Sequence, residues 1–228
     1  MRKINIAIDG PAGAGKSTVS KGCAVQLDYT YIDTGAMYRA LSLKALRTGT
    51  PLDDGGKMTE LLKAANIRLV GNPRVSEVYL DGEDVSAAIR TSEVDSVVSL
   101  TAAHLGVREE MALKQRRLAA EKGAVLDGRD IGTTILPDAE LKIFLVASAE
   151  ERAMRRYKEM QERGAPADYD EIYEAIIHRD EFDKSREHSP LKKAEDAVEI
   201  DTTALTIPEV ISRITALAEE KVNYSHDV

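Results

Sequence analysis

The sequence predicts an α/β fold: a central parallel sheet flanked by helices, with a small antiparallel β insertion and a short helical lid. Three observations carry this expectation. Residues 3–46 alternate apolar runs with helical patterns, the opening rhythm of a doubly wound parallel sheet. A glycine-rich turn, "GPAGAGKST" (10–18), stands between the first apolar run and the first helical pattern. Around residues 62–90 the rhythm gives way to two strand-like runs and an Asp81-Gly82 turn, a hairpin signal.

Taken in order, "KINIAI" (3–8) is apolar and bounded by Asp9-Gly10, as a buried parallel strand reads. From Lys16 to about Leu27 the apolar residues Val19, Cys23 and Leu27 recur every fourth position, a helical stripe. "YTYID" (29–33) is a second strand, and "AMYRALSLKAL" (36–46) an amphipathic helix that stops near Gly49-Thr50-Pro51. "NIRLV" (66–70) and "RVSEVYL" (74–80), separated by Gly71-Asn72-Pro73, are the strands of the insertion. Helices are expected over about 93–103 and 107–121, then strands in "GAVLDGRD" (123–130) and "LKIFLVA" (141–147). Ser148, with Glu151 three residues on, begins a capped helix that ends at Gly164, and a charged helix runs from about Asp168 to Glu187. "AVEID" (197–201) is the last strand, Pro208 opens a helix to about residue 221, and "NYSHDV" is expected to fray.

At 228 residues the chain suffices for one substantial domain with an insertion. No apolar run nears the roughly 18 residues of a membrane span. Nothing before "INIAI" resembles a signal peptide, and a lone Cys23, expected in the core, excludes internal disulfides; the expected location is the cytoplasm. A net charge of −8 argues against a generic basic surface for nucleic acid. Any bound anion must be held by a local gathering of Arg and Lys. His104, His178 and His188 show no metal-ligand spacing with carboxylates or Cys23.

Gly10, Gly15, Lys16 and Ser17 satisfy G-x-x-x-x-G-K-[ST], with a strand before and a helix after. The stretch Gly10, Pro11, Ala12, Gly13, Ala14, Gly15, Lys16, Ser17 and Thr18 is therefore expected to wrap the phosphates of a nucleoside triphosphate with inward N–H groups. The helix behind it adds the positive end of its dipole. Lys16 is suited to bridge the outer phosphates, and the Ser17 hydroxyl to ligate Mg²⁺. Such a loop fixes what is held, not what is done with it. No N-K-x-D stretch marks guanine recognition, and large motor ATPases need more chain. A small kinase acting on a second bound molecule is the remaining class.

If that acceptor is an anion, cations should stand at the carboxyl ends of neighbouring strands. Thr34, Tyr38 and Arg39 open the helix after the second strand, and Asp127, Arg129 and Asp130 close the third main strand. Arg179, Asp183 and Arg186 are spaced to share one face of the late helix, and Arg108 heads another. An isolated arginine is usually solvated or salt-bridged; the joint placement at strand ends facing one loop is what argues for a site.

"IAIDGPAGAGKST", "YIDTGAMYRA", "VLDGRDIGT", "LPDAELKIFLVAS" and "RDEFDKSREHSPL" together resemble the bacterial cytidylate kinases, P-loop nucleoside monophosphate kinases, from about residue 3 to about 220. The resemblance implies transfer of the ATP γ-phosphate to CMP or dCMP with Mg²⁺. It implies that Arg39 and Arg129 grip the CMP phosphate, that Thr34, Ser99, Arg108, Asp130 and Arg186 surround the cytosine, and that Arg179 and Asp183 lie near the sugar. Arg179 also reaches the phosphates in this reading, and Tyr38 and Asp127 complete the CMP site. Lys16, Arg129 and Arg179 form the expected catalytic set, and Arg152, Arg155 and Arg156 match a lid, about 148–166, that closes over ATP. The insertion at about 62–90, flanked by helices to about 105, resembles that family's enlarged monophosphate-binding region, leaving 1–61 and 91–228 as the kinase core. The implied partners are small nucleotides, without nucleic acid or membrane, and the expected state is a monomer. A kinase for UMP or AMP, or a nucleotide-binding switch without transferase activity, are the alternatives.

Overall fold

The computed structural model describes residues 3–70, 77–162 and 164–224. Five strands form a wholly parallel sheet in the order β2 (Thr30–Asp33), β6 (Ala124–Gly128), β1 (Ile6–Asp9), β7 (Leu141–Val146) and β8 (Val198–Asp201). The first strand in the chain is thus the central one. Ile6 and Ile8 point into one core, with Val19 and Cys23 of α1 (Lys16–Leu27) and Val210 and Ile214 of α8 (Ile207–Tyr224). Ala7 faces the other side, with Ile32, Leu126 and Ala112 of α5 (Leu105–Leu118). Both faces are covered, which is why the strands read as continuous apolar runs and not as alternation.

A separate antiparallel sheet, β3 (Ile67–Val70), β4 (Glu77–Leu80) and β5 (Glu83–Asp84), follows in chain order. The β4–β5 turn has positive φ at both Asp81 (53°) and Gly82 (94°), the primed hairpin geometry that the dipeptide signals. Val78 and Leu80 pack on Ala36, Ala40 and Leu43 of α2 (Thr34–Thr48). The expected turn at 71–73, the start of the strand expected over 74–80, and residues 225–228 lie outside the described residues.

Four local differences from the sequence expectation have physical causes. A helix not foreseen, α3 (Gly55–Ala64), begins with two glycines of poor helix propensity; the Asp54 cap on the Lys57 N–H, at 2.9 Å, and burial of Met58 and Leu62 hold it. α2 starts at Thr34, because Asp33 caps it by accepting the Ala36 N–H. Residues Ile131–Ile135 form one π turn after β6, where no periodicity betrays it. α8 runs on to Tyr224, past the expected end at 221. The remaining helices are α4 (Ser92–Thr101), α6 (Ala149–Glu162) and α7 (Tyr169–Ser185). Among the described residues no helix is long and apolar enough to cross a membrane.

Candidate active site

β1 ends at Asp9 and the chain turns sharply into the glycine loop. A Cβ on Gly10 would stand 2.2 Å from the Leu145 carbonyl oxygen, so only glycine lets the loop leave between β1 and β7. Gly15, at φ 83°, caps α1 in the left-handed region and starts the helix at Lys16. Ser17 and Thr18 are exposed, while Lys16 is buried and donates from Nζ to the Pro11 carbonyl at 2.7 Å. Burial, and after it the charge of Arg129, hold the Lys16 ammonium well below its ordinary pKa; Asp127 and Asp9 pull the other way.

The sheet's carboxyl edge carries three buried acids in register: Asp33 pairs with Asp127, and Asp9 with Gly128. Asp9 accepts the Ile131 and Gly132 N–H groups at 2.8 and 2.7 Å, tying the loop after β6 to the root of the glycine turn. Burial still pushes its carboxyl up to about 7. Asp127 takes the Ser17 hydroxyl on one oxygen, at 2.9 Å, and the Tyr31 phenol on the other, at 2.7 Å. Its backbone carbonyl accepts the Thr34 hydroxyl at 2.6 Å. Burial first, then the nearby Asp33, raise Asp127 to about 6.

Opposite this edge stand the arginines. Arg129 donates to Asp183 at 2.8 Å; Asp183 is also held by Arg186, which sits just beyond α7 and not on its face as expected. The two guanidinium groups hold the Asp183 carboxyl below the usual range despite burial. Arg179 is pushed down to about 10, by burial first and then by Arg129, and its Nε–H has no partner. Arg108 pairs with Asp130 beneath the Tyr38 ring, 5.7 Å from its centroid, and donates to the Ala102 carbonyl. The Tyr38 hydroxyl and the Nε–H groups of Arg108 and Arg186 are buried without partners as well. Buried donors seldom stay unpaired, and these four belong to side chains expected at the site.

Of the expected site residues, Arg39 and Arg156 meet on Asp95 of α4. Arg155 lies beside the glycine loop, its Nη1 4.0 Å from where a Gly15 Cβ would stand, and donates to Thr202. Ser99 is half-buried one helical turn beyond Asp95, and no hydrogen bond joins its side chain to the cluster. Arg152 departs from the lid expectation. It is buried, bidentate to Asp180 of α7 at 3.1 and 2.6 Å, and donates to the Ala12 and Ala147 carbonyls, a strut behind the glycine loop. Sequence reasoning passed over Asp9, Tyr31, Asp95 and Asp180. Asp9 was recognisable as the acid closing the first strand; the others carry no local signal.

A family model described as cytidylate kinase matches residues 6–220, nearly the whole chain. The chain belongs to the cytidylate kinase family. The cytidylate kinase of Bacillus velezensis is 54% identical over 220 residues, covering 96% of this chain and 98% of that one. The cytidylate kinase of Bacillus subtilis is 52% identical over 220 residues, with the same coverage. Among solved structures, a shikimate kinase from Bacteroides thetaiotaomicron aligns over 96% of this chain and 99% of its own, at 15% identity and a TM-score of 0.49. In this member of the family, the glycine loop, the acidic strand edge and the arginine group meet at one end of one parallel sheet.

Proposed function

We propose that the protein transfers the γ-phosphoryl group of ATP to CMP or dCMP, giving ADP and CDP or dCDP by direct in-line transfer. The observation that carries this reading is that Lys16, Arg129 and Arg179, from three segments, lie close enough to perturb one another's charge. Beyond the protein's own Asp127, Asp9 and Asp183, cations crowded in a buried place favour a further anion among them. Two nucleotides meeting tail to tail supply one.

Gly10 to Thr18 would wrap the ATP phosphates, with Lys16 at the outer ones and Arg155 and Arg156 closing over them. Arg39 and Arg129 would take the acceptor phosphate, with Arg179 neutralising charge on the transferring group. Thr34, Tyr38, Ser99, Arg108, Asp130 and Arg186 would surround the base. The Arg108–Asp130 pair presents a donor and an acceptor, as cytosine's carbonyl and amino group demand. Asp183, clamped between Arg129 and Arg186, and Arg179 would lie by the sugar. The attacking oxygen is already anionic, so no general base is required; positioning and charge neutralisation carry the rate.

An exposed hydroxyl on Ser17 backed by the Asp127 carboxylate is an oxygen donor set that fits a hard divalent cation. Ser17, with Asp127 behind it, would hold Mg²⁺, which when bound neutralises charge on the donor phosphates. Residues 62–90 would form the acceptor-binding insertion and 148–166 the lid, on a core of 1–61 and 91–228. The protein would act as a cytoplasmic monomer. A coupled assay across CMP, dCMP, UMP and AMP tests the assignment: CMP and dCMP should turn over fastest, and AMP turnover equal to or above CMP would overturn it.

A further inference from the structure

Asp95, in the first turn of α4, has no place in the chemistry above, yet three of its arginines converge on it. Its carboxylate pairs with Arg39 of α2 through one oxygen and with Arg156 of α6 through the other, the latter at 3.3 Å. Its charge also reaches Arg179 of α7. The helix does not need an acid at this position for its own sake. Thr91 already caps α4 by accepting the Val94 N–H, and Glu93 already answers the positive helix end. Arg156 has a second carboxylate, Glu159, at 3.1 Å. Among the described residues, Arg39 finds its ion-pair partner in Asp95.

We propose that Asp95 is a positioning residue that stands in for the acceptor phosphate: its carboxylate holds Arg39, and an incoming nucleotide must displace it. The inference rests on the reading that Arg39 grips that phosphate. Without nucleotide, Arg39, Arg129, Arg179 and Lys16 repel one another across a partly dry site, and one protein carboxylate offsets part of that repulsion. A phosphate outcompetes it, because it brings more charge and more acceptor oxygens to the same guanidinium fork. The released Asp95 is not left stranded: its side chain is 26% exposed and keeps Arg156. The consequence is an acceptor site that is pre-ordered but holds its ligand less tightly than its arginines alone would.

Calorimetric titration of CMP and of cytidine into wild type, Asp95→Asn and Asp95→Glu tests this. Asn keeps the size and removes the charge. The Kd for CMP should fall about fivefold in Asp95→Asn, the worth of a partly exposed ion pair, while cytidine, lacking the phosphate, binds as before. Asp95→Glu should stay near wild type. Asp95→Ser gives the same readout should the amide disturb α4. CMP affinity unchanged or weakened in a folded Asp95→Asn chain overturns the proposal, as does an equal gain for cytidine, since a merely structural role cannot tighten phosphate binding alone. A wild-type chain that binds CMP no better than cytidine is a separate outcome; it overturns the functional reading itself and this inference with it.

Discussion

The Ser17 hydroxyl, in the first turn of α1, donates to the Asp127 carboxylate at the end of β6 across 2.9 Å, joining segments 110 residues apart. Among the described residues, the other side-chain donor on that carboxylate is the Tyr31 phenol. Asp127→Asn keeps the shape but removes the charge behind Ser17. Initial rates as a function of Mg²⁺ should show at least about a 100-fold loss of kcat and a raised Mg²⁺ requirement, as for a lost electrostatic element. Wild-type rates at low Mg²⁺ would remove Asp127 from the proposed metal site.

Lys16→Met separates stability from activity. The ammonium is buried against a lone carbonyl and depressed by burial and by Arg129, so it costs the nucleotide-free fold energy. Thermal unfolding should show a Tm equal to or above wild type, with phosphoryl transfer reduced by at least about 100-fold. A large fall in Tm would mean that the lysine chiefly props the loop.

Arg129→Ala should leave a folded chain with CMP turnover lowered at least about tenfold, because the guanidinium proposed to grip the acceptor phosphate is lost. Asp183 keeps Arg186, which limits the structural damage. Circular dichroism and steady-state kinetics together decide it: near-normal kcat/KM in the folded variant would misplace that contact.

Arg152→Ala and Arg155→Ala should differ in kind. Truncating Arg152 strands the buried Asp180 carboxylate and should cost about 3–5 kcal/mol in denaturant unfolding. Arg155 is half-exposed and bonded to Thr202, so its loss should leave stability within about 1 kcal/mol and raise the KM for ATP. Equal stabilities for the two variants would contradict the strut.

Asp9 gives a pH signature. Burial raises its carboxyl from 3.8 to about 7 in the fold, so the folded chain holds this proton more tightly than the unfolded chain. Its contribution to stability is complete below pH 3.8 and is lost as pH rises through about 7. Asp127 acts with the same sign up to about 6. Asp183, whose carboxyl is depressed, acts oppositely, its contribution fading as pH falls below the ordinary range. In Asp9→Asn, urea unfolding of the nucleotide-free chain should lose stability less steeply from about pH 4 to about pH 7. An unchanged slope would show that Asp9 is not the source.

The sheet was legible because burial on both faces leaves unbroken apolar strands, and the glycine loop because G-x-x-x-x-G-K-[ST] between a strand and a helix is a specific phosphate-wrapping spacing. Arg129 could be proposed for the site by asking which cations end strands, and Arg179 by its spacing four residues before Asp183 on one helix face. Partnerships were not legible. That Arg152 turns inward to Asp180 while Arg155, one turn on, reaches Thr202 depends on how α6 lies against α7, which no local pattern encodes. Tyr31 reads as an ordinary strand aromatic until β2 is laid beside β6. The helix α3 hid behind Gly55 and Gly56, whose propensities argue against what capping and burial achieve.

Because β1 is flanked by β6 and β7, Ile6 finds its hydrogen-bonding neighbours only at Val125 and Leu141. A growing polypeptide therefore cannot anchor β1 until Val125 and its neighbours in β6 have been made. Any fragment ending before Leu141 leaves one side of that strand bare, an edge open to pairing with other chains. Of all its parts, the turn nearest the N-terminus is among the last to acquire its working shape.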